Sequence, residues 1–185
     1  MARVLKRLYA SVKPLFAPMD VIRIVLANHH PIVRTTLREL LEKEPSFEIV
    51  GEAANGREAV VLADYRRPDV VLLDIHLPFV NGMSAAAEII ARNPNAKVVM
   101  VTDLTDEEYL IEVFRSGARG CVRAETAQAD LVRAIRAVAA GQWYLSRSIV
   151  SHLIEKQSDW EDTKDNLKAL GVPAGLLDSM AAASF

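Results

Sequence analysis

Residues with polar or ionisable side chains that could form a binding or reaction site stand directly after short apolar runs of this sequence. Asn28 and His29 follow the first run, Asp74 follows a later one, and Thr102 follows another. A carboxylate next to an imidazole commonly forms a hydrogen-bonded pair with it. A second arrangement is also open, because Asp74, His29 and His76 together could bind Zn²⁺ or a similar transition metal. These side chains act together only if the fold brings the ends of the runs to one place.

The apolar runs alternate with helical patterns five times along the chain. Runs rich in β-branched residues predict buried strands of a parallel sheet, at 22–27, 47–53, 69–73, 97–101 and 120–123. Between them, apolar residues recur at helical spacing. The alternation predicts an α/β fold with helices on both faces of a five-stranded parallel sheet. In such sheets a site lies beyond the carboxyl ends of the strands, so the residues to examine are Asn28, His29, Asp74, Thr102 and Ala124.

Composition restricts the class of protein. The 185 residues are 51% hydrophobic and 25% charged, which is typical of a folded globular chain. The formal net charge of −2 argues against a surface devoted to nucleic acid, and we expect no specific nucleic-acid binding. No apolar run approaches the roughly 20 residues of a membrane-spanning helix. The single cysteine, Cys121, excludes an internal disulfide and suits a reducing cytoplasm.

The sequence divides into three regions. Residues 1–20 are basic, with no acid before Asp20, and we expect a disordered arm or a leader translated upstream of a start at Met19. A basic amphipathic helix resting on a membrane surface is the alternative. Residues 21–145 hold the alternating pattern, and residues 146–185 predict a helical tail. Apolar tail residues are expected to pack on the α/β domain or a second subunit, or to dock another protein; they are Trp160, Leu167, Leu170, Leu176 and Leu177.

Long strings of the sequence are similar to one known family. The matching strings are 24–34, 50–59, 68–74, Leu77-Pro78 with Gly82, 116–120 and 131–141. Through them the region 21–145 resembles the response-regulator receiver domain of two-component signalling, in its NarL/FixJ-type branch. The resemblance implies a flavodoxin-like, doubly wound (βα)5 fold. A flavodoxin-like enzyme or ligand-binding protein is disfavoured, because no glycine-rich phosphate loop follows the first strand.

The resemblance also implies a chemistry, namely transfer of a phosphoryl group from a sensor histidine kinase to one aspartate with Mg²⁺ bound nearby. Asp74 matches the phosphoryl acceptor, and Thr102 matches the hydroxyl that contacts the phosphoryl group. His76 matches the residue whose backbone carbonyl faces the metal. The implied protein is a signalling module and not an enzyme. Its expected partner is a protein, such as a sensor histidine kinase, another signalling protein or a second copy of the chain.

Three positions depart from the family pattern. Asn28 and His29 stand where the family has an acidic pair, Ala124 stands where it has lysine, and Cys121 stands where it usually has an aromatic residue that reports the switch. Because Mg²⁺ prefers oxygen ligands that include carboxylates, we expect no bound metal and impaired phosphorylation of Asp74. The alternative is an ordinary phosphorylatable regulator linked to transcription. About forty residues follow Leu145, too few for the family's usual DNA-binding unit, so we expect none.

Overall fold

The fold was obtained as a computed structural model, which describes residues 21–102, 107–124, 128–155 and 160–182. The predictions made for residues 1–20, a disordered basic arm, a leader or a membrane-surface helix, lie outside the described residues.

The centre of the fold is a parallel sheet whose strands coincide with the apolar runs. Its strands are β1 (Ile22–Ala27), β2 (Phe47–Ala53), β3 (Val70–Asp74), β4 (Lys97–Thr102), β5 (Gly120–Arg123) and β6 (Tyr144–Leu145). The spatial order is β2-β1-β3-β4-β5-β6, and every neighbouring pair is parallel. The order reverses between β1 and β3, which is where ligand sites of such sheets form.

Helices connect the strands and continue into the tail. They are α1 (Pro31–Leu41), α2 (Gly56–Arg66), α3 (Gly82–Arg92), α4 (Glu107–Arg115), α5 (Gln128–Ala139), α6 (Arg147–Glu155), α7 (Trp160–Ala169) and α8 (Ala174–Ala182). Two of them, α2 and α3, each begin at an Asn-Gly dipeptide. The side chain of Asn55 accepts a hydrogen bond from Glu58 N–H at 2.9 Å, and that of Asn81 accepts one from Ser84 N–H at 2.8 Å. These caps satisfy backbone donors that the first helical turn leaves unpaired.

The core lies on both faces of the sheet. Successive strand residues point to opposite faces, so Val71 and Leu73 pack beneath α2 and α3 while Val70 and Leu72 pack beneath α1 and α5. All four of these β3 side chains have no exposed surface. Burying such an aliphatic side chain contributes roughly 1.5–3 kcal/mol. The strand must therefore be apolar throughout, and its first polar residue marks the point where the sheet ends.

The sequence prediction of an α/β, flavodoxin-like doubly wound fold with a helical tail is confirmed, with one correction. The sheet has six strands, not five, because Tyr144 and Leu145 pair with β5 at its edge. The pairing depends on two backbone hydrogen bonds of 2.9 Å, from Tyr144 N–H to Arg119 O and from Ser146 N–H to Cys121 O. A two-residue strand has no periodicity, so a sequence pattern cannot signal it.

The tail packs on the α/β domain of the same chain. Leu167 and Leu177 have no exposed surface and belong to the core cluster that also contains Phe114 of α4. The partly buried side chains that pack against this cluster include Trp160, Leu170 and Leu176. The first of the alternatives for these residues, packing on the domain, is thus confirmed. In the part of the chain that is described, no helix is both long and apolar enough to span a membrane.

Candidate functional site

Asp74 lies at the carboxyl end of β3, with its side chain 13% exposed. Among the described residues, three hydrogen bonds reach its carboxylate. The side-chain amide of Asn28 donates to Oδ2 at 2.9 Å, and Nδ1 of His29 lies 3.2 Å from the same oxygen. The backbone N–H of His76 donates to Oδ1 at 3.0 Å. Both carboxylate oxygens are therefore engaged by groups of this chain.

Asn28 is buried, and its neighbours determine which way its amide faces. Its Oδ1 atom accepts a hydrogen bond from His30 N–H at 2.9 Å, which leaves Nδ2 directed at Asp74. Turning the amide over would place two donors against each other and two acceptors against each other. The backbone of Asn28 is held as well, since its N–H donates to Ala53 O at 3.1 Å and its carbonyl accepts from Arg34 at 2.7 Å.

His29 contacts Asp74 at the rim of the pocket. Its side chain is 31% exposed, and its ring centroid lies 3.7 Å from that of His30. An ionised carboxylate only accepts hydrogen bonds, so Nδ1 of His29 carries the proton in this contact. The side chain thus donates a hydrogen bond at a position where the resemblance implies a metal-binding acid.

Thr102 and Ala124 lie at the ends of β4 and of β5, the neighbouring strand. Thr102 is only 4% exposed, and its carbonyl accepts a hydrogen bond from Ala124 N–H at 2.7 Å. Asp74 pairs with Val101 in the β3–β4 register. Thr102 therefore lies one residue further along its strand than Asp74, at the same edge of the sheet. Ala124 is exposed and contributes a methyl group, which cannot offset negative charge.

The loop after β3 fits closely against the pocket. A Cβ atom at Gly82 would lie 2.2 Å from Asp74 O, and one at Gly56 would lie 1.9 Å from Val80 O. Phe79 in this loop has φ = 65°, a left-handed conformation that is uncommon for a residue other than glycine. The repeated Asn-Gly at 55–56 and 81–82 is the sequence signal for these two close approaches.

Cys121 lies in the interior of the sheet, on the face that carries α4. It is 1% exposed, and its burial raises the pKa of the thiol to about 12. A small cavity of about 10 Å³ remains beside it, bordered by Thr102, Tyr109 and Ile149. The residue at the predicted switch position is therefore a small, protonated, apolar neighbour of the threonine.

The donor atoms of the pocket fit Mg²⁺ poorly. Mg²⁺ requires near-octahedral oxygen ligands at about 2.0–2.1 Å, whereas Nδ2 of Asn28 and Nδ1 of His29 are directed at Asp74 Oδ2. Both nitrogens present hydrogen atoms where a cation needs lone pairs. Within the described ranges, no three His, Cys, Asp or Glu residues are grouped so that they could hold a metal ion. The suggested Zn²⁺ group with His76 is therefore not assembled there.

A parallel sheet with helices on both faces, and with an aspartate and a threonine at its carboxyl edge, defines a signalling domain of the receiver class. The chain belongs to the response regulator receiver domain family, whose model matches residues 24–136. This assigns it to two-component signalling, in which receiver domains interact with histidine kinases and other signalling proteins, and gives no indication of catalytic activity.

Individual relatives agree with this assignment. The chain is 35% identical to the transcriptional regulatory protein DegU of Brevibacillus brevis over 73% of its length and 57% of that protein. It is 37% identical to the uncharacterized transcriptional regulatory protein YxjL of Bacillus subtilis over 66% of its length and 56% of that protein. A LuxR-family two-component response regulator from Aurantimonas has a similar structure, with TM-score 0.70, 33% identity and coverage of 75% of this chain and 99% of that chain. The alignments span little more than half of each curated relative.

Proposed function

We propose that this chain is an atypical receiver that takes part in two-component signalling through protein contacts, with Mg²⁺-dependent phosphorylation of Asp74 impaired. One observation carries the proposal: the Asp74 carboxylate accepts hydrogen bonds from Asn28, His29 and the backbone of His76. An ionised carboxylate has about four acceptor positions, and three of them are filled by the chain itself. The donors that stabilise the carboxylate also occupy the space that a metal ion needs.

The charge balance of the pocket supports the same proposal. A phosphoryl group on Asp74 would bring nearly two negative charges, which Mg²⁺ and a lysine would normally offset. Here Ala124 supplies no cation, and the amide of Asn28 supplies no charge. The imidazole of His29, which contacts the carboxylate, carries a positive charge only when it is protonated. A stable phosphoaspartate is therefore disfavoured relative to the unmodified carboxylate.

Exposed apolar side chains beside the pocket support the role of protein contacts. Ile32, in the first turn of α1, is 82% exposed, and Phe79, in the loop after β3, is 86% exposed. Both belong to segments that lead directly away from pocket residues. An exposed apolar side chain favours binding of another protein where it forms part of a larger apolar patch. We expect no specific nucleic-acid contact from the described domain.

The experiment is an intact-mass measurement of the full chain after incubation with Mg²⁺ and a small acyl phosphate. We expect no stable gain of one phosphoryl group in the parent chain. The matched variant Asn28→Asp/His29→Asp/Ala124→Lys restores the acidic pair and the lysine, and we expect it to gain the group. Adding Asp74→Ala to that variant should abolish the gain. A phosphoryl adduct on the parent that disappears in Asp74→Ala would overturn the proposal.

The second candidate is an ordinary phosphorylatable response regulator linked to transcription. It is favoured by the relatives DegU and YxjL, which are both named as transcriptional regulatory proteins. It is also favoured by the retention of Asp74 and Thr102 at the carboxyl edge of the sheet. The same mass measurement separates the two candidates, since only this one expects an adduct at Asp74 of the parent chain.

A further inference from the structure

The C-terminal tail is joined to the sheet at the residue that stands in the switch position. Ser146 N–H donates a hydrogen bond to Cys121 O at 2.9 Å, so β6 is tied directly to the centre of β5. One residue later α6 begins, and its Ile149 N–H donates to Ser146 O at 3.1 Å. The first turn of α6 therefore starts immediately beside Cys121.

The side chain of Ile149 fills the space beside that cysteine. Ile149 is 3% exposed and borders the same cavity as Cys121 and Thr102. The remaining volume is about 10 Å³, which is at the lower limit for one water molecule. A large side chain at position 121 could not enter this space while Ile149 occupies it. The small thiol and the tail isoleucine are thus complementary in volume.

In the rest of the tail, α7 packs on α4 and α8 packs on α6. Val172 is 2% exposed, and Leu167 and Leu177 have no exposed surface. Trp143, which precedes β6, packs against Phe114 of α4 with a ring-centroid distance of 5.7 Å. Within the tail, Lys164 lies 3.4 Å from Asp178 and so connects α7 to α8. The tail behaves as one packed unit on the α4 and β5 side of the sheet.

We propose that the tail is the switch element of this receiver, with Ile149 of α6 in the role that an aromatic residue at position 121 has elsewhere in the family. Thr102 and Ile149 border one cavity, so a displacement of Thr102 towards Asp74 changes the space available to Ile149. Loss of the packing of Ile149 beside Cys121 would release α6 from β5, and with it the partner helices of the tail. The proposal goes beyond the proposed function and holds whether or not Asp74 is phosphorylated.

The first test is Cys121→Phe in the full chain. The phenyl ring must displace Ile149, so we expect backbone amides of β6 and α6 to exchange hydrogen about tenfold faster or more, with β1 and β3 unchanged. The two tryptophans of the chain, Trp143 just before β6 and Trp160 at the start of α7, both pack against the core cluster that the tail joins. Their fluorescence emission should therefore shift to longer wavelength. Cys121→Ala, which adds no volume, should change neither measurement.

The second test separates a specific contact from general damage. In the double variant Cys121→Phe/Ile149→Ala, the ring can occupy the space that the isoleucine leaves, so protection of β6 and α6 should return towards the parent value. If the double variant exchanges as fast as Cys121→Phe, or if Cys121→Phe leaves the tail protected, the proposal is overturned.

The third test addresses coupling to the pocket. Thr102→Ala removes a wall of the shared cavity and should raise the exchange rate of α6 amides by about threefold or more relative to those of β3. The control is Thr36→Ala on α1, whose hydroxyl bonds to Ile32 O and which lies outside this cavity. Equal exchange ratios in the two variants would show that the tail does not respond to Thr102, and would also overturn the proposal.

Discussion

Nδ1 of His29 lies 3.2 Å from Oδ2 of Asp74, and this oxygen also accepts the hydrogen bond of Asn28. Asn28 and His29, which stand where the resemblance implies an acidic pair, are therefore both directed at the carboxylate of Asp74. An acid at either position would repel Asp74 unless a cation stood between them. With an amide and an imidazole at these positions, the Asp74 carboxylate accepts hydrogen bonds from both side chains.

Asn28→Asp should make the stability of the protein depend on Mg²⁺. The new carboxylate would face Asp74 at hydrogen-bond distance, and we expect a loss of roughly 1–3 kcal/mol in the free energy of unfolding without metal. Mg²⁺ that binds the folded state should recover part of this loss and raise the Tm of the variant. Thermal unfolding at increasing Mg²⁺ concentration measures both effects.

The control for this prediction is Asn95→Asp, which makes the same chemical change at an exposed position. Neither the control nor the parent chain should gain stability from Mg²⁺. An equal rise in Tm for the parent would show that its pocket already binds the ion.

Gly82→Ala should destabilise the chain through the backbone of Asp74. The added methyl group would lie 2.2 Å from Asp74 O, a backbone atom that cannot move without distorting the end of β3. We expect a loss of about 2–3 kcal/mol or more in the free energy of unfolding by urea. Gly175→Ala is the matched control, because a Cβ atom there has no neighbour within 4 Å and alanine favours a helix. Equal stability of the two variants would contradict the packing of this loop.

Most of the fold could be predicted from the sequence because its central strands are buried on both faces. Val70 to Leu73 must all be apolar, and a run of this kind between two helical patterns indicates a parallel strand. Tyr144 and Leu145 could not be recognised as a strand, since they are extended only through bonds to residues some 25 positions earlier in the chain. Local pattern carries no information on a pairing of this kind.

The sequence predicts where the candidate site residues lie in the fold, but not their detailed geometry. Asn28 and His29 follow β1, whereas Asp74 and Thr102 are the last residues of β3 and β4. Topology alone therefore places all four at one edge of the sheet. The direction of the Asn28 amide depends on the His30 backbone, and the left-handed backbone of Phe79 depends on the loop packing against Gly56. Such details result from tertiary contacts, which cannot be inferred from the type of a single residue.

Phe79→Gly should stabilise the chain. At φ = 65° a phenylalanine is strained, and its side chain is 86% exposed, so little buried surface is lost when it is removed. Glycine adopts this conformation without steric cost, and we expect a gain of up to about 1 kcal/mol in the free energy of unfolding. Phe79→Ala removes the same ring but keeps the strain, and should show no gain. The hypothesis of backbone strain fails if the alanine and glycine variants have equal stability.

The stability of the chain should fall at alkaline pH through Cys121. In the unfolded chain the thiol ionises near its ordinary value of 9.0, whereas burial in the folded state raises its pKa to about 12. Between these values the unfolded state loses a proton that the folded state keeps, so rising pH favours unfolding. The contribution of the Cys121 thiol to the free energy of unfolding is complete below pH 9. Above pH 9 we expect this contribution to decrease by up to about 1.4 kcal/mol for each pH unit.

The measurement compares urea unfolding of the parent with that of Cys121→Ala from pH 7 to pH 10.5. Tyr144, whose pKa is also raised to about 12 by burial and by its hydrogen bond to Asp130, is present in both proteins, so its titration cancels in the difference. The difference in unfolding free energy between the two proteins should be constant up to about pH 8.5. By pH 10.5 the parent should have lost about 2 kcal/mol of stability relative to Cys121→Ala. Parallel curves over the whole range would mean that the thiol ionises as readily in the folded chain as in the unfolded one. That outcome would require water to reach Cys121, and it would contradict the cover that Ile149 and α6 provide.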